Sequence, residues 1–407
     1  MRTYLARHAW GNTGLADLLA ALEEASGRDL QAWSAAWLRT TGPSTLRVVD
    51  GALTATGDRP HRVGVGVYDG SPLRLRERVL LDVDGAPVPV GVDLDADLVL
   101  PNDGDLTFAK VRLDPRSLAT VRARLHEVPD PLARALVWGA LWDTARDGEL
   151  PAEDLVAAVL GSVDGEDDPD LVTTLLGQAR TAAHQLTADG APLLARLHAH
   201  HVAAQHAPGS ALQRVVFRAA VDTATGPVAP PPGVAVDEEL RWHLLQREAA
   251  LGLVGADALQ AAHDAAPTAT SANALAHALA SRPDPAAKEA AWAELLGDGP
   301  LSNSRARALA SGFWQHGQDD LLAPWVARYA DEVPGLWERR SPQLAGSVTR
   351  LLFPATLVRQ EVLDATGGLV ADDRPAGLRR LVLEARDDLA RALRARGAAD
   401  RAQGGRG

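Results

Sequence analysis

The sequence predicts a multi-domain α+β protein: a short helical stretch, a small β-sandwich, then a large irregular α-helical solenoid of the HEAT or armadillo kind. Three observations carry this. Apolar residues repeat at helical spacing before residue 43, alternate with period two between 44 and 115, and return to helical spacing from 116 to about 400. A chain of 407 residues also exceeds one ordinary domain, at roughly 150 residues each. The expected divisions are 1–43, 44–115, 116–400 and a disordered tail at 401–407.

In the first division Leu15, Leu18, Leu19 and Leu22 share one helix face. Asn12 or Thr13 can cap its start, and Gly27 follows its end. A second helix carries Leu30, Trp33 and Trp37, with Asp29 as its expected N-cap. Two such helices cannot bury their apolar faces alone, so they need something to pack on.

In the second division Val63, Val65 and Val67 alternate with small or polar residues. Leu73, Leu75, Glu77, Val79 and Leu81 form another row. Leu98–Leu100 and Phe108–Leu113 read as short strands. Asp50-Gly51, Asp69-Gly70, Asp84-Gly85 and Asp103-Gly104 mark turns. None of the ten Trp falls in this stretch.

The third division is helical almost throughout. Asp114-Pro115, Asp130-Pro131, Asp168-Pro169 and Asp284-Pro285 are start signals, with Asp as N-cap and Pro at the first helical position. Helices are expected near 131–146, 169–186, 237–254, 285–296 and 318–332. Gly226 to Pro232 reads as a rigid loop or a seam between helical halves. No strict repeat period is visible.

Composition narrows the function classes. Lys and Arg total 41 against 53 Asp and Glu, a net charge of -12, which argues against a nucleic-acid binder. Only Lys110 and Lys288 are lysines. Cysteine is absent, so disulfides, thiolate metal sites and cysteine nucleophiles are excluded. The first residues hold no apolar core of signal-peptide length, and no stretch is long and apolar enough to span a membrane. The expectation is a cytoplasmic protein with no membrane partner.

No catalytic constellation emerges from the residues. His198, His200, His201 and His206 cluster, and His198 and His201 can share a helix face, but no carboxylate at helical spacing completes a metal set. His126-Glu127 runs into Val128-Pro129, so no H-E-x-x-H exists. Asp93, Asp95 and Asp97 lack the glycine and glutamate of a calcium loop, and Asp164–Asp170 reads as a solvated loop feeding a helix. Gly64 and Gly66 lie inside a strand pattern and are not a dinucleotide fingerprint. Trp138 and Trp142 read as helix-seam packing. Arg305 and Arg307, ahead of Phe313-Trp314-Gln315, can line a concavity that takes a peptide or remain solvated charges.

The order of segments resembles a known family. Tyr4 to Thr13, Asp17 to Gly27 and Trp37 to Pro43 look like the end of the catalytic domain of aminopeptidase N-like zinc aminopeptidases, nearest to the actinobacterial type. Leu98-Val-Leu-Pro-Asn102 with Phe108-Ala-Lys-Val-Arg112 look like that family's closing sandwich strands. Lys288 to Trp292, Gly312 to Gln315 and Leu321 to Trp325 look like its C-terminal helices. The resemblance implies that 1–43 are the last helices of a thermolysin-like zinc domain, followed by sandwich and superhelix. It implies that the family's exopeptidase motif, H-E-x-x-H, Glu ligand and transition-state tyrosine lie upstream of the matched part. No catalytic, cofactor-binding or metal-binding residue therefore carries over, and the substrate-binding residues are left unknown. Zinc belongs to the full-length family enzyme. The implied partners are the missing catalytic domain and peptides, with this chain inactive alone as a capping and substrate-access region. The alternative is a free-standing helical-solenoid module that binds a peptide or protein. An enzyme working through the His198–His206 cluster is the weakest reading.

Overall fold

The computed structural model describes residues 1–404, with side chains described for 1–399. The chain divides into two compact units, Met1–Asp143 and Thr144–Gly407. The division falls inside a helix, well after the change of hydrophobic period at 115.

In the first unit α1 (Arg2–Arg7), α2 (Leu15–Ser26) and α3 (Gln31–Leu38) precede the strands. α1 has no apolar face and buries none of its residues, so the periodicity did not mark it. α2 ends at Gly27, whose φ of +67° lets it close the helix in a left-handed cap. Its start is not Asn12 or Thr13. Gly14 is the N-cap, and the Asp17 carboxylate accepts its N–H at 2.8 Å. The Thr13 hydroxyl is bound to the Tyr4 hydroxyl at 2.6 Å. Asp29 is not the N-cap of α3: Leu30 holds that position with no side-chain cap, and Asp29, one residue earlier, accepts the Gln31 N–H at 2.9 Å. α3 finds part of its packing surface through Trp37, which meets the His61 ring edge-on at 5.1 Å beneath the Arg59 guanidinium.

Seven strands follow: β1 (Ser44–Val49), β2 (Ala52–Ala55), β3 (His61–Asp69), β4 (Arg74–Val83), β5 (Val88–Pro89), β6 (Leu98–Pro101) and β7 (Ala109–Arg112). They form two sheets, ordered β5-β2-β1-β7 and β4-β3-β6. The first is mixed, with β1 and β7 parallel. Leu46 and Leu53 of one sheet share a core with Val63, Val65, Val67, Val83 and Val99 of the other. Asp50 and Gly51 both take positive φ, +49° and +79°, the turn that suits a two-residue hairpin. The alternating row expected in β4 holds only in part: Leu73 is buried and Val79 and Leu81 are half-buried, but Leu75 and Glu77 are exposed beside a register shift opposite Val67 and Tyr68.

Gly64 and Gly66 have a structural reason. A Cβ on Gly64 would sit 2.2 Å from the Asp103 carbonyl oxygen, and one on Gly66 2.1 Å from the Asp103 carboxylate. Only glycine lets β3 pass this close to a buried aspartate. Asp103 in turn accepts hydrogen bonds from Tyr68 at 3.1 Å and Arg78 at 2.8 Å.

The rest is helical. α4 (Pro115–Arg124) and α5 (Pro131–Arg146) lead into α6 (Ala152–Ser162), α7 (Pro169–Gln185), α8 (Ala191–Ala203), α9 (Ala211–Thr223) and α10 (Glu238–Ala250). Then come α11 (Ala256–Asp264), α12 (Ala269–Ser281), α13 (Pro285–Leu296), α14 (Asn303–Phe313), α15 (Asp319–Leu322) and α16 (Trp325–Glu332). α17 (Leu336–Arg339), α18 (Pro342–Leu351), α19 (Gln360–Ala365) and α20 (Ala376–Gly404) complete the chain. Residues 405–407, part of the tail expected at 401–407, lie outside the described residues.

All four Asp-Pro pairs cap as expected: Asp114, Asp130, Asp168 and Asp284 each accept a backbone N–H of the first turn. Two expected helices are shorter. The one at 237–254 stops at Ala250 because Gly252 turns to φ +73°. The one at 318–332 breaks at Ala323-Pro324 into α15 and α16. Gly226 to Pro232 is a loop between α9 and α10, and its Val228, with Val234 just beyond it, packs against Phe217, Val221 and Leu240.

Within the second unit α7, α9, α10, α12, α14, α18 and α20 contact one another in turn, with α8, α11 and α13 packed alongside. The carbonyls left open at helix C-termini are met by side chains from other elements. Arg247 donates to Ala224, Gln318 to Ala250 and Ser281, and Lys288 to Ala280 and Phe313. Arg396 of α20 donates to His184 and Gln185 at the end of α7. The last helix thus returns to the beginning of the row.

Candidate functional site

The convergence of α7, α9, α10, α12 and α14 encloses a polar cavity of ≈ 330 Å³. Arg180 and His184 come from α7, one helical turn apart. Asp222 comes from α9, His243 and Arg247 from α10, again one turn apart, and His277 from α12. His316 and Gln315 come from the loop after α14. The apolar faces of these helices pack on their neighbours, and the polar residues on the remaining faces are brought to a common space.

Asp222 anchors the electrostatics. It forms an ion pair with Arg180 and accepts from His243 Nε2 at 3.1 Å. Burial opposes its ionisation, but the His243 hydrogen bond and the guanidiniums of Arg180 and Arg218 outweigh it and hold the carboxyl below its usual range. Arg247 spends Nε and Nη2 on the Ala224 carbonyl, at 3.0 and 2.6 Å.

His184 and His316 stack face to face, with ring centroids 3.7 Å apart and planes within 4°. His184 and His277 are half-buried, and the His316 ring is open to the cavity. Burial, then His316, Arg180 and Arg247, lower His184 to about 3. Burial, then His243 and Lys288, lower His277 to about 4. His316 is lowered too, by the protein closing around it and then by Arg180, Arg247 and Arg396. All three are neutral imidazoles at pH 7. Two guanidiniums, one carboxylate and the imidazoles around one space suit a polar or anionic group.

The residues singled out in the sequence go elsewhere. His198 Nδ1 lies 3.1 Å from the Ala220 carbonyl and 3.3 Å from Thr223. His200 pairs with Asp164 at 3.2 Å. His201 is buried, and its pKa falls to about 4, chiefly through burial. Arg76 pairs with Asp69 at 2.8 Å and meets Asp93, while Arg116 pairs with Asp95 and lies 3.6 Å from Asp97. Arg305 is bound to Glu294 at 2.8 Å, and Trp138 is core. Among the described residues no group of three or more His, Asp or Glu side chains is placed to hold a metal ion. The donor set does not fit zinc, so no step is derived through it.

The cavity residues were invisible in the sequence because they are scattered from 180 to 316. The one local signal is an Arg and a His four apart on each of two helices.

The sequence model of the ERAP1-like C-terminal domain matches residues 98–391. The chain belongs to that family. It is also 40% identical to aminopeptidase N of Streptomyces lividans over 446 aligned residues, covering 98% of this chain and 52% of the relative. The chain thus spans about half the length of the curated relative it matches. Every residue of the polar cavity lies inside the segment matched to the ERAP1-like C-terminal domain.

Proposed function

We propose that this chain is the capping and substrate-access region of an aminopeptidase that removes N-terminal residues from peptides, and that it does not hydrolyse peptides alone. Its similarity to an aminopeptidase N, joined to a family match that is a C-terminal domain, is the observation that carries the reading. The catalytic step, with its zinc, is assigned to a catalytic portion that the chain complements. The exposed apolar side chains of Leu5, Trp10, Leu15, Trp33 and Leu38 support a partner surface on the N-terminal helices. The row of helices is taken as an irregular solenoid whose polar cavity receives the end of a peptide remote from the cleaved bond. No helix among the described residues is long and apolar enough to cross a membrane, and the working compartment is proposed to be the cytoplasm.

The test is complementation. The chain is mixed with a separately produced catalytic portion of the Streptomyces lividans relative, and hydrolysis of an aminoacyl p-nitroanilide and of a longer peptide is followed. Activity on the peptide that depends on adding the chain, and falls with Arg180→Ala, is the expected result. Full peptide activity without the chain sinks the reading.

The alternative is a free-standing binding module. One observation favours it: the cavity is complete within the Thr144–Gly407 unit. It predicts peptide binding by the chain alone and no gain on adding a catalytic portion.

A further inference from the structure

A second cavity, of ≈ 530 Å³, opens between α14, α17, α18 and α20. Its lining includes Arg307, Arg350, Arg380 and Trp337, and no aspartate or glutamate. Arg307 and Arg350 make no ion pair or side-chain hydrogen bond among the described residues. Arg380 pairs only with the exposed Glu384, at 2.9 Å on its own helix. Three like charges around one cavity repel each other, and among the described residues only that of Arg380 is offset, by Glu384.

The indole is fixed in place. Trp337 Nε1 donates to Thr349 Oγ1 at 3.0 Å. A Cβ on Gly377 would lie 2.5 Å from the indole edge, so only glycine permits α20 to approach it. Gly346 of α18 lies against the same edge. The cavity therefore has a rigid aromatic wall and guanidiniums free to turn toward a ligand.

We infer that this groove binds a small, multiply charged anion through Arg307, Arg350 and Arg380, with Trp337 as its apolar wall. Guanidinium forks match phosphate and carboxylate oxygens two at a time, and a cavity this size holds an organic molecule of a few hundred Å³. The inference is independent of the aminopeptidase reading, since it uses neither the polar cavity nor a catalytic partner.

The experiment titrates the full chain calorimetrically with inorganic pyrophosphate, citrate and ATP, and repeats this with Arg307→Gln/Arg350→Gln. Saturable binding that weakens by ~10-fold or more in the double variant and falls with salt is the expected result. Both arginines are exposed, and an unchanged melting temperature confirms that the variant folds. Pyrophosphate ahead of citrate makes phosphate the source, and citrate ahead makes it carboxylate. ATP binding more tightly than pyrophosphate, with the difference erased by Trp337→Leu, assigns an apolar body to the ligand. No saturable binding of any probe, binding indifferent to the double variant, or binding of polyglutamate alone overturns the inference.

Discussion

The sandwich and the helical cavity both enclose polar groups, but they differ in which of these are tied to the chain. In the sandwich the buried polar side chains are tied to one another, although one Asp103 carboxylate oxygen is left without a hydrogen bond. Asp103 holds Tyr68 and Arg78, and His61 lies 2.9 Å from both Thr107 and Ser44. In the cavity His184 and His316 have each other's faces, yet neither ring makes a hydrogen bond among the described residues. A polar network closed on itself specifies architecture, because each member loses energy if it moves. Polar groups left open around a space are available to a ligand. The difference separates the structural histidine from the candidate functional ones.

The largest effect should come from breaking the closed network. Gly66→Ala places a methyl 2.1 Å from the Asp103 carboxylate, which is fully buried and already bonded to Tyr68 and Arg78. Neither strand β3 nor the aspartate can retreat without losing those bonds. We expect a cost of about 3 kcal/mol, read as a lower denaturation midpoint. Gly91→Ala is the control. Its φ is +78°, a strain that Gly66 does not carry, and a Cβ there meets nothing within 4 Å, so a cost near 1 kcal/mol from backbone strain alone is expected. Equal losses at the two positions would break the comparison.

This bears on what a sequence discloses. Asp-Pro starts, the Asp-Gly hairpin and the period change at 44 are local, and each is decided by chemistry within a few residues. The glycines at 64 and 66 looked like a failed motif, because their neighbour Asp103 is nearly forty residues away. The polar cavity was hidden for the same reason: its residues meet only when five helices pack. The break in α15–α16 was legible in Pro324, but the helical spacing on either side masked it. The exposed Leu75 followed from a register shift that no alternation pattern encodes.

Lys288 is an intermediate case: closed like the sandwich network, but charged. It is fully buried, and its Nζ donates to the C-terminal carbonyls of α12 and α14 at 2.7 and 2.6 Å. Lys288→Met leaves both carbonyls without that donor, and we expect a loss of about 2 kcal/mol at pH 7. Burial lowers its pKa to about 7 from 10.5. Between those values the unfolded chain binds the extra proton, so the lysine's contribution to stability rises with pH across that window. Denaturation at pH 7 and pH 9.5 should show the gap between wild type and variant widening at the higher pH. A constant gap would mean that the ammonium stays charged in the fold.

The smallest stability effect is expected at the open cavity, and its sign is the sharpest test. His184→Phe keeps a flat ring beside His316 and removes no hydrogen bond made by the imidazole. At pH 7 stability should change by less than about 1 kcal/mol. Because the folded His184 binds its proton only near pH 3, against 6.5 when unfolded, the wild type loses stability as pH falls from about 6.5 toward 4. The phenylalanine variant lacks that loss and should become the more stable protein at pH 5. A histidine that served the fold would give the opposite result, a variant weaker at every pH. A variant that gains stability in acid and loses peptide handling in the complementation assay places His184 with the ligand, not with the architecture.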